Sequence, residues 1–228
     1  MIVIKSERLR RAIRRVVPFF VVPALALSGA VLTGRGQYAL VISLVCAASF
    51  LLFAAGFERR KTGARRLVVA SVMTALAVAG RFIPLVKPVA ALTIISALYL
   101  GGEAGFLTGA LTALISNFYF GQGPWTPFQM MAWGLVGLIA GLLAAPLRKS
   151  RALLLIYGLL SGVGYSMIMD VWTVLWYGQG FNMSLYLAAL VTALPHTALY
   201  AASNVIYLAL FARPFGEKLE RLRVKYGV

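Results

Sequence analysis

Long apolar runs alternate with short polar or basic segments along the chain. Because a helix needs about 20 apolar residues to cross a bilayer, these runs predict transmembrane helices. The fourth and fifth runs are short and are separated only by Gly101, Gly102 and Glu103. The fold class predicted is all-α, a polytopic membrane helix bundle. About eight spans are predicted, at residues 16–34, 37–57, 66–83, 86–101, 104–120, 127–147, 152–177 and 184–212.

The overall composition agrees with this prediction. Hydrophobic residues make up 61% of the chain, charged residues 12%, and the mean hydropathy is +0.87, which is typical of a polytopic membrane protein. A net charge of +16 would favour nucleic acid as the partner of a soluble protein. Here the basic residues lie in short loops between apolar runs, so we expect a lipid membrane as the surrounding medium and no nucleic acid. The lone Cys46 rules out an intrachain disulfide framework.

The basic residues are distributed unequally between the two sides of the predicted bundle. Nineteen of the 22 lysines and arginines lie on the side of the N-terminus, whereas Arg35, Arg81 and Lys87 lie on the other side. Short cytoplasmic loops carry such an excess, so both termini are predicted to be cytoplasmic. The basic start followed by an apolar run resembles a signal peptide. No Ala-x-Ala type cleavage site followed by a soluble domain is found, and we expect the first helix to be retained.

Small residues recur at spacings of three or four residues in several spans, which lets neighbouring helices approach closely in lipid. Such rows usually predict internal packing, although one of them could instead face another protein. The three rows are Ser71, Ala75 and Ala79; Gly101, Gly105, Gly109 and Ala113; and Gly134, Gly137 and Gly141.

The most distinctive stretch runs from residue 117 to residue 133. Its turn at 121–127 contains two glycines, two prolines and no charge, so the chain must reverse there. Aromatic and amide side chains flank the turn: Asn117, Phe118, Tyr119, Phe120, Gln122, Trp125, Phe128, Gln129 and Trp133. Two interpretations are open, an interfacial aromatic belt or the lip of a site for a flat, neutral, amide-bearing ligand.

A second turn favours the site. Residues 177–182 read Tyr-Gly-Gln-Gly-Phe-Asn, so an aromatic residue followed by Gly-Gln-Gly occurs twice in the chain. The predicted topology places both turns on the extracellular face. Two matching uncharged turns on one face indicate a shared role.

Asp170 is the only acidic residue within a predicted span, and an ionisable group there is a candidate for function. Ser166, Asp170, Thr173 and Tyr177 follow at spacings of three and four, which places them on one helix face. At ~1.5 Å per residue Asp170 lies about 10 Å below the second turn. Two hypotheses carry similar weight: Asp170 pairs with Arg81, Lys87 or a hydroxyl group, or it contacts a ligand.

The last span carries a comparable polar row, Thr192, His196, Tyr200 and Asn204, and Pro195 is expected to kink it. His196 is the only histidine, and a lone histidine does not form a metal site of the usual kind. We expect it to form hydrogen bonds in the bundle or with a ligand, and axial ligation of a ligand's own metal is a minor alternative. The chain has none of the common hydrolase, metalloprotease or phosphate-loop motifs, so it is not predicted to be an enzyme.

Three segments resemble the S component of energy-coupling factor (ECF) vitamin transporters, the substrate-binding membrane subunit. They are Ala-Arg-Arg-Leu-Val-Val-Ala-Ser-Val-Met-Thr-Ala-Leu-Ala-Val-Ala-Gly-Arg at 64–81, Tyr-Leu-Gly-Gly-Glu-Ala-Gly-Phe-Leu-Thr-Gly-Ala at 99–110, and Phe-Gly-Gln-Gly-Pro-Trp-Thr-Pro-Phe-Gln-Met at 120–130. The resemblance covers about two-thirds of the chain. The third segment is most similar to the cobalamin-specific S component.

The resemblance implies a six-helix substrate-binding core at 65–212. It leaves two additional helices and a basic segment at 1–64, and a cytoplasmic basic tail at 213–228. It also implies the plasma membrane of a prokaryote, a T transmembrane coupling subunit and two ATPase subunits that use ATP. The chain itself needs no cofactor and no metal, and cobalamin is its transported ligand. A small-residue face at Ser71, Ala75 and Ala79 is expected to dock on the T subunit.

The predicted vitamin site combines residues from the two turns and three spans. One wall holds Asn117, Gln122, Trp125, Thr126, Gln129 and Trp133; a second holds Asp170, Trp176, Tyr177 and Gln179; the floor holds His196, Tyr200 and Asn204. Two alternatives stay open. The ligand could be another micronutrient, such as riboflavin or queuosine, or the chain could be a stand-alone secondary transporter with Asp170 as proton carrier.

Overall fold

The structure is a computed structural model that describes residue 4 and residues 6–31, 38–56, 60–84, 86–178 and 180–226. Every secondary-structure element in these ranges is helical, so the all-α prediction is confirmed. The elements are α1 (Glu7–Val16), a π-helical turn (Val17–Val21), α2 (Val22–Val31), α3 (Tyr38–Ala55), α4 (Arg60–Gly80), α5 (Val89–Leu100), α6 (Gly102–Phe120), α7 (Thr126–Leu142), α8 (Ala144–Lys149), α9 (Arg151–Tyr177) and α10 (Met183–Tyr226).

The helices are long and apolar, as expected for a membrane bundle. Four helical stretches in the described ranges are long and apolar enough to cross a membrane: Glu7–Gly29, Gly63–Gly80, Arg151–Tyr177 and Met183–Tyr226. Three shorter apolar helices accompany them, at Ala39–Ala55, Val89–Leu100 and Thr126–Leu142. The chain is therefore a multi-pass membrane bundle, with α6 packed among these helices.

Two helix junctions follow directly from local sequence. Gly101 has φ 94° and ψ 160°, a conformation that glycine adopts without steric cost, and it separates α5 from α6. The predicted division between the fourth and fifth spans is thus confirmed. Ser150 caps α9, because its side chain accepts a hydrogen bond from the Leu153 backbone N–H.

The glycine rows lie at the centre of the bundle, between α6 and α7. A Cβ atom on Gly109 would lie 2.4 Å from the Trp133 carbonyl oxygen, and one on Gly137 would lie 2.4 Å from the Gly105 carbonyl carbon. A Cβ atom on Gly141 would lie 2.2 Å from the Gly102 Cα atom. The two backbones therefore meet at distances that only glycine permits, and internal packing of both glycine rows is confirmed.

The N-terminal helices share this core. Val22, Val45 and Leu52 are fully buried in one hydrophobic cluster with Phe106 of α6 and Phe128 of α7. At the opposite end from the turns, Arg14 also forms an ion pair with Glu103, at the start of α6. The described residues of α1 to α3 are thus packed on the predicted six-helix core.

Helix α10 also extends further than its predicted end at residue 212. It continues through Pro214 to Tyr226, and Gly216 packs against the Tyr99 ring. Leu219 is 4% exposed and joins a hydrophobic cluster whose buried members come mainly from α5. The predicted tail is therefore one end of α10 with an apolar face against the bundle. We call this end, with α8 and the α5–α6 junction, the basic end.

Candidate functional site

Three turns lie at the other end of the bundle, which we call the site end. They are the described residues of the α4–α5 turn (81–88), the α6–α7 turn (121–125) and the α9–α10 turn (178–182). The Phe82 and Tyr119 rings lie 4.7 Å apart between centroids, and Trp125 lies edge to face with Trp172 at 5.9 Å. These contacts join the first turn to the end of α6 and the second turn to α9.

The amides predicted to line the site form a buried hydrogen-bond network. The Asn117 side-chain amide donates to Thr126 Oγ1 at 2.9 Å and to Gln129 Oε1 at 2.8 Å. Thr126 donates to Gln122 Oε1 at 3.1 Å, and Gln129 donates to the Tyr165 hydroxyl at 2.9 Å. Since these groups satisfy one another, their first effect is to hold the α6–α7 turn on α7 and α9.

Arg81 belongs to the same network, although the sequence suggested it only as a possible partner of Asp170. Its guanidinium donates to Asn117 Oδ1 at 2.8 Å and to the Ser116 hydroxyl. It also lies 4.6 Å from the centroid of the Phe120 ring and 5.2 Å from that of Trp133. A cation is thus held over aromatic faces at the site end. The sequence shows a positive charge directly after α4. It does not show the partners of this charge, because Ser116 and Asn117 lie far along the chain at the end of α6.

Aromatic rings form two groups beside this network. Trp133 stacks on Tyr165 with ring centroids 5.1 Å apart and an interplanar angle of 9°, and Tyr165 contacts Tyr200 at 4.9 Å. Trp172 and Trp176 stack at 6.2 Å. The structure therefore brings together five rings from α7, α9 and α10. Tyr165 and Trp172 were missed, although Trp172 and Trp176 are four residues apart and so share a helix face.

Other aromatic side chains point away from these groups. Phe118 is 77% exposed and Tyr119 is 73% exposed, so both lie on the outer surface of α6. Tyr177 is also exposed, although it meets the edge of Trp172 at 6.3 Å. Phe118 and Tyr119 therefore match an interfacial belt, whereas Trp133 faces the interior.

Asp170 lies on α9 and is only 8% exposed. Arg81 binds Ser116 and Asn117, and Asp170 forms no ion pair within the part of the chain that the structure describes. Its Oδ2 atom, the Trp133 Nε1 atom and the Trp172 Nε1 atom are buried without a hydrogen-bond partner in the same part of the chain. Hence three polar atoms near the site end have unused hydrogen-bonding capacity.

The predicted floor residues are spread along α10. His196 is exposed, and its ring centroid lies 6.2 Å from that of Tyr200. Asn204 is fully buried and donates to the Gly158 carbonyl oxygen at 3.1 Å, which places it at the α9–α10 crossing. Gly158 lies about 28 Å along α9 from its Tyr177 end, so Asn204 is remote from the turns. Gln179 lies outside the described residues.

The predicted docking row lies on a different surface. Ser71, Ala75 and Ala79 are exposed on α4 and line an apolar groove of 570 Å³ between α4 and α6. Leu111 and Ile115 of α6 form the facing wall of this groove. Within the described residues, no group of three or more histidine, cysteine, aspartate or glutamate side chains could hold a metal ion.

Comparisons with known proteins bear on this arrangement. A family model described as the ECF-type riboflavin transporter, S component, matches residues 61–221. The match begins in α4 and ends in α10, so it includes all three turns and leaves α1 to α3 outside. The comparisons with curated proteins and with solved structures gave no match.

Proposed function

The chain belongs to the ECF-type riboflavin transporter S-component family, and we propose that it captures a neutral, ring-bearing vitamin at the site end of the bundle. An S component is the substrate-binding membrane subunit of an ECF transporter and not an enzyme. Such subunits work with a T subunit and ATPase subunits. For this chain we further propose the plasma membrane of a prokaryote, with the site end outside, because nineteen basic residues lie on the opposite side.

The observation that supports the proposed site is that three buried polar atoms near the site end have no hydrogen-bond partner among the described residues. A buried polar atom without a partner costs about 1–3 kcal/mol, which a ligand hydrogen bond would offset. The Asp170 carboxylate accepts hydrogen bonds, and the indole N–H groups of Trp133 and Trp172 donate them. A ligand edge with both amide N–H and carbonyl groups complements that set. The rings supply apolar contact with a flat ligand face.

Cobalamin is the ligand that we propose first. It carries amide groups around a large conjugated ring, and the segment at 120–130 resembles that of the cobalamin-specific S component. This segment includes the α6–α7 turn at the site end, where the proposed ligand would bind. Riboflavin is the second candidate, because the matching family model is described by that vitamin. Its ring system also has a flat face and an edge with N–H and carbonyl groups.

Calorimetry on the purified chain in detergent separates these ligands. Cobalamin, riboflavin, biotin and thiamine are titrated without ATP and without partner subunits. Tight one-to-one binding of cobalamin alone supports cobalamin as the ligand. Tight binding of riboflavin alone identifies riboflavin as the ligand instead. If none of the four binds, both proposed ligands are wrong, while membership of the family stands.

One substitution locates the site. We expect Trp176→Ala to weaken binding about tenfold, because it removes a stacked ring and its apolar contact area. Phe118→Ala is the matched control: it removes an aromatic ring at the same end of the bundle, but from the exposed surface of α6. Equal losses of affinity in the two variants would show that the α9 rings do not belong to the binding site.

The stand-alone secondary transporter is favoured by one observation, the buried and unpaired Asp170 carboxylate. It predicts uptake into vesicles that contain this chain alone, driven by a proton gradient and abolished by Asp170→Asn. The ECF proposal predicts uptake only when the T and ATPase subunits and ATP are present. Vesicles with and without these subunits distinguish the two.

A further inference from the structure

A second cavity lies at the basic end of the bundle, away from the turns and from the groove on α4. Its volume is 390 Å³, and its wall includes the last turn of α5 from Ala97 to Gly101. Three arginines from three different helices complete it: Arg66 of α4, Arg148 of α8 and Arg223 of α10. Cationic groups that are far apart in the sequence thus converge on one space.

The first of these arginines is held in place by backbone carbonyl groups. Arg66 is half-buried and donates to the Gly56 carbonyl oxygen at 3.2 Å and to the Leu100 carbonyl oxygen. Glu103 stabilises its charge, but the same carboxylate forms an ion pair with Arg14. One negative charge is therefore shared between two guanidinium groups.

The other two arginines share a second carboxylate. Arg148 forms an ion pair with Glu220 at 2.9 Å, and Arg223 approaches the same side chain at 3.8 Å. Arg148 also lies 4.7 Å from the centroid of the Tyr99 ring, which fixes its position on the cavity wall. Two glutamates therefore interact with four arginines near this cavity, so positive charge is in excess.

The type of cation indicates the type of anion. Guanidinium groups present planar sets of donors that match the oxygens of a phosphate group. The free backbone N–H groups in the first turn of α6, which begins next to Gly101, add positive potential. Basic pockets between helices at a cytoplasmic surface commonly hold anionic lipid headgroups.

We propose that this cavity binds a phosphate group, either the headgroup of an anionic phospholipid or free phosphate. The bound group bridges α4, α8 and α10 and so stabilises the basic end. The proposal is independent of the vitamin, because it concerns the opposite end of the bundle.

The test measures thermal unfolding of the full purified chain in detergent. Phosphatidylglycerol, phosphatidylcholine and millimolar inorganic phosphate are added separately, and phosphatidylglycerol is expected to raise Tm by about 5 °C. A similar rise with inorganic phosphate identifies the free ion as a ligand, whereas a rise with phosphatidylglycerol alone identifies the lipid headgroup. An equal rise with phosphatidylcholine, or no rise with either phosphate source, overturns the proposal.

Two variants locate the effect. Arg148→Gln combined with Arg223→Gln is expected to abolish the rise in Tm. Arg223→Gln alone, which loses only a long ion pair, is expected to halve it and serves if the double variant does not fold. Arg213→Gln is the matched control, because this residue is also on α10 but is 91% exposed and pairs with Glu217. The proposal is overturned if the rise survives in the cavity variants or is lost equally in the control.

Discussion

Rows of small residues occur on both α4 and α6, yet the two helices use them differently. The α6 row packs against the glycines of α7, and Cβ atoms added to Gly109, Gly137 or Gly141 would lie 2.2–2.4 Å from backbone atoms. The α4 row, Ser71, Ala75 and Ala79, remains exposed and lines an apolar groove. The same spacing therefore serves internal packing in one place and leaves a surface free in the other. For the exposed row we propose the T subunit as the occupant, as the family implies.

The largest effect is expected where two backbones meet. Gly137→Ala places a methyl group 2.4 Å from the Gly105 carbonyl carbon, which the backbone cannot avoid without moving α6 from α7. We expect a loss of about 3 kcal/mol and a fall in Tm of roughly 6–12 °C. Thermal unfolding of the purified chain measures it. An unchanged Tm would mean that the two helices are not packed this closely.

Bulky residues in the exposed row are expected to leave the fold intact. Ala75→Leu combined with Ala79→Leu fills the groove on α4, so binding of the T subunit should fall at least about tenfold. Vitamin binding and Tm should stay unchanged. Co-purification with the T and ATPase subunits measures assembly. Val72→Leu is the control, since Val72 is exposed on α4 but does not line the groove. Normal assembly of the double variant would mean that the T subunit does not dock on this row.

A smaller loss of stability is expected at two glycines of α9 that face α10. A Cβ atom on Gly162 would lie 2.6 Å from the Ala201 backbone nitrogen, whereas one on Gly158 would meet the Leu208 Cδ1 atom at 2.4 Å. A leucine methyl group can rotate away, but a helix backbone cannot. We therefore expect Gly162→Ala to cost about 2 kcal/mol and Gly158→Ala about 1 kcal/mol. The order of the two Tm values tests this, and the reverse order contradicts it.

The smallest effect concerns a glycine without close neighbours. A Cβ atom on Gly164 of α9 has no described atom within 4 Å. Gly164→Ala should raise stability by up to ~1 kcal/mol through helix propensity alone. It is the matched control for Gly137→Ala, because the substitution is identical and only the surroundings differ. A loss of stability at residue 164 would mean that glycine is needed there for another reason.

Much of the fold could be predicted from local patterns. The predicted run at 152–177 matches α9 within one residue, and Gly101 separates α5 from α6 as expected. Hydropathy could not predict the far end of α10. The charged residues of the tail lower the mean hydropathy of this segment, although one helix face, which includes Leu219, is apolar. The packing of α2 and α3 was not predicted either, since no local signal shows that Val45 and Phe106 share one hydrophobic cluster.

The sequence also predicted only some features of the candidate site. Asn117, Gln129 and Trp133, which the sequence placed on one predicted wall of the site, are buried together near an uncharged turn flanked by amides and aromatics. The sequence could not show that these amides bind one another and Arg81, and it grouped Asn204 with residues far above it. Their role in binding a vitamin stays a prediction.

The sequence by itself determined the membrane environment and the positions of the helices. Both depend on local properties, since in lipid every backbone hydrogen bond must be made within the segment. Only the tertiary structure decided which small-residue row is covered, where Arg81 binds, and which arginines converge at the basic end. Those outcomes depend on which helices become neighbours, and a periodic pattern specifies the face of a helix without specifying its partner.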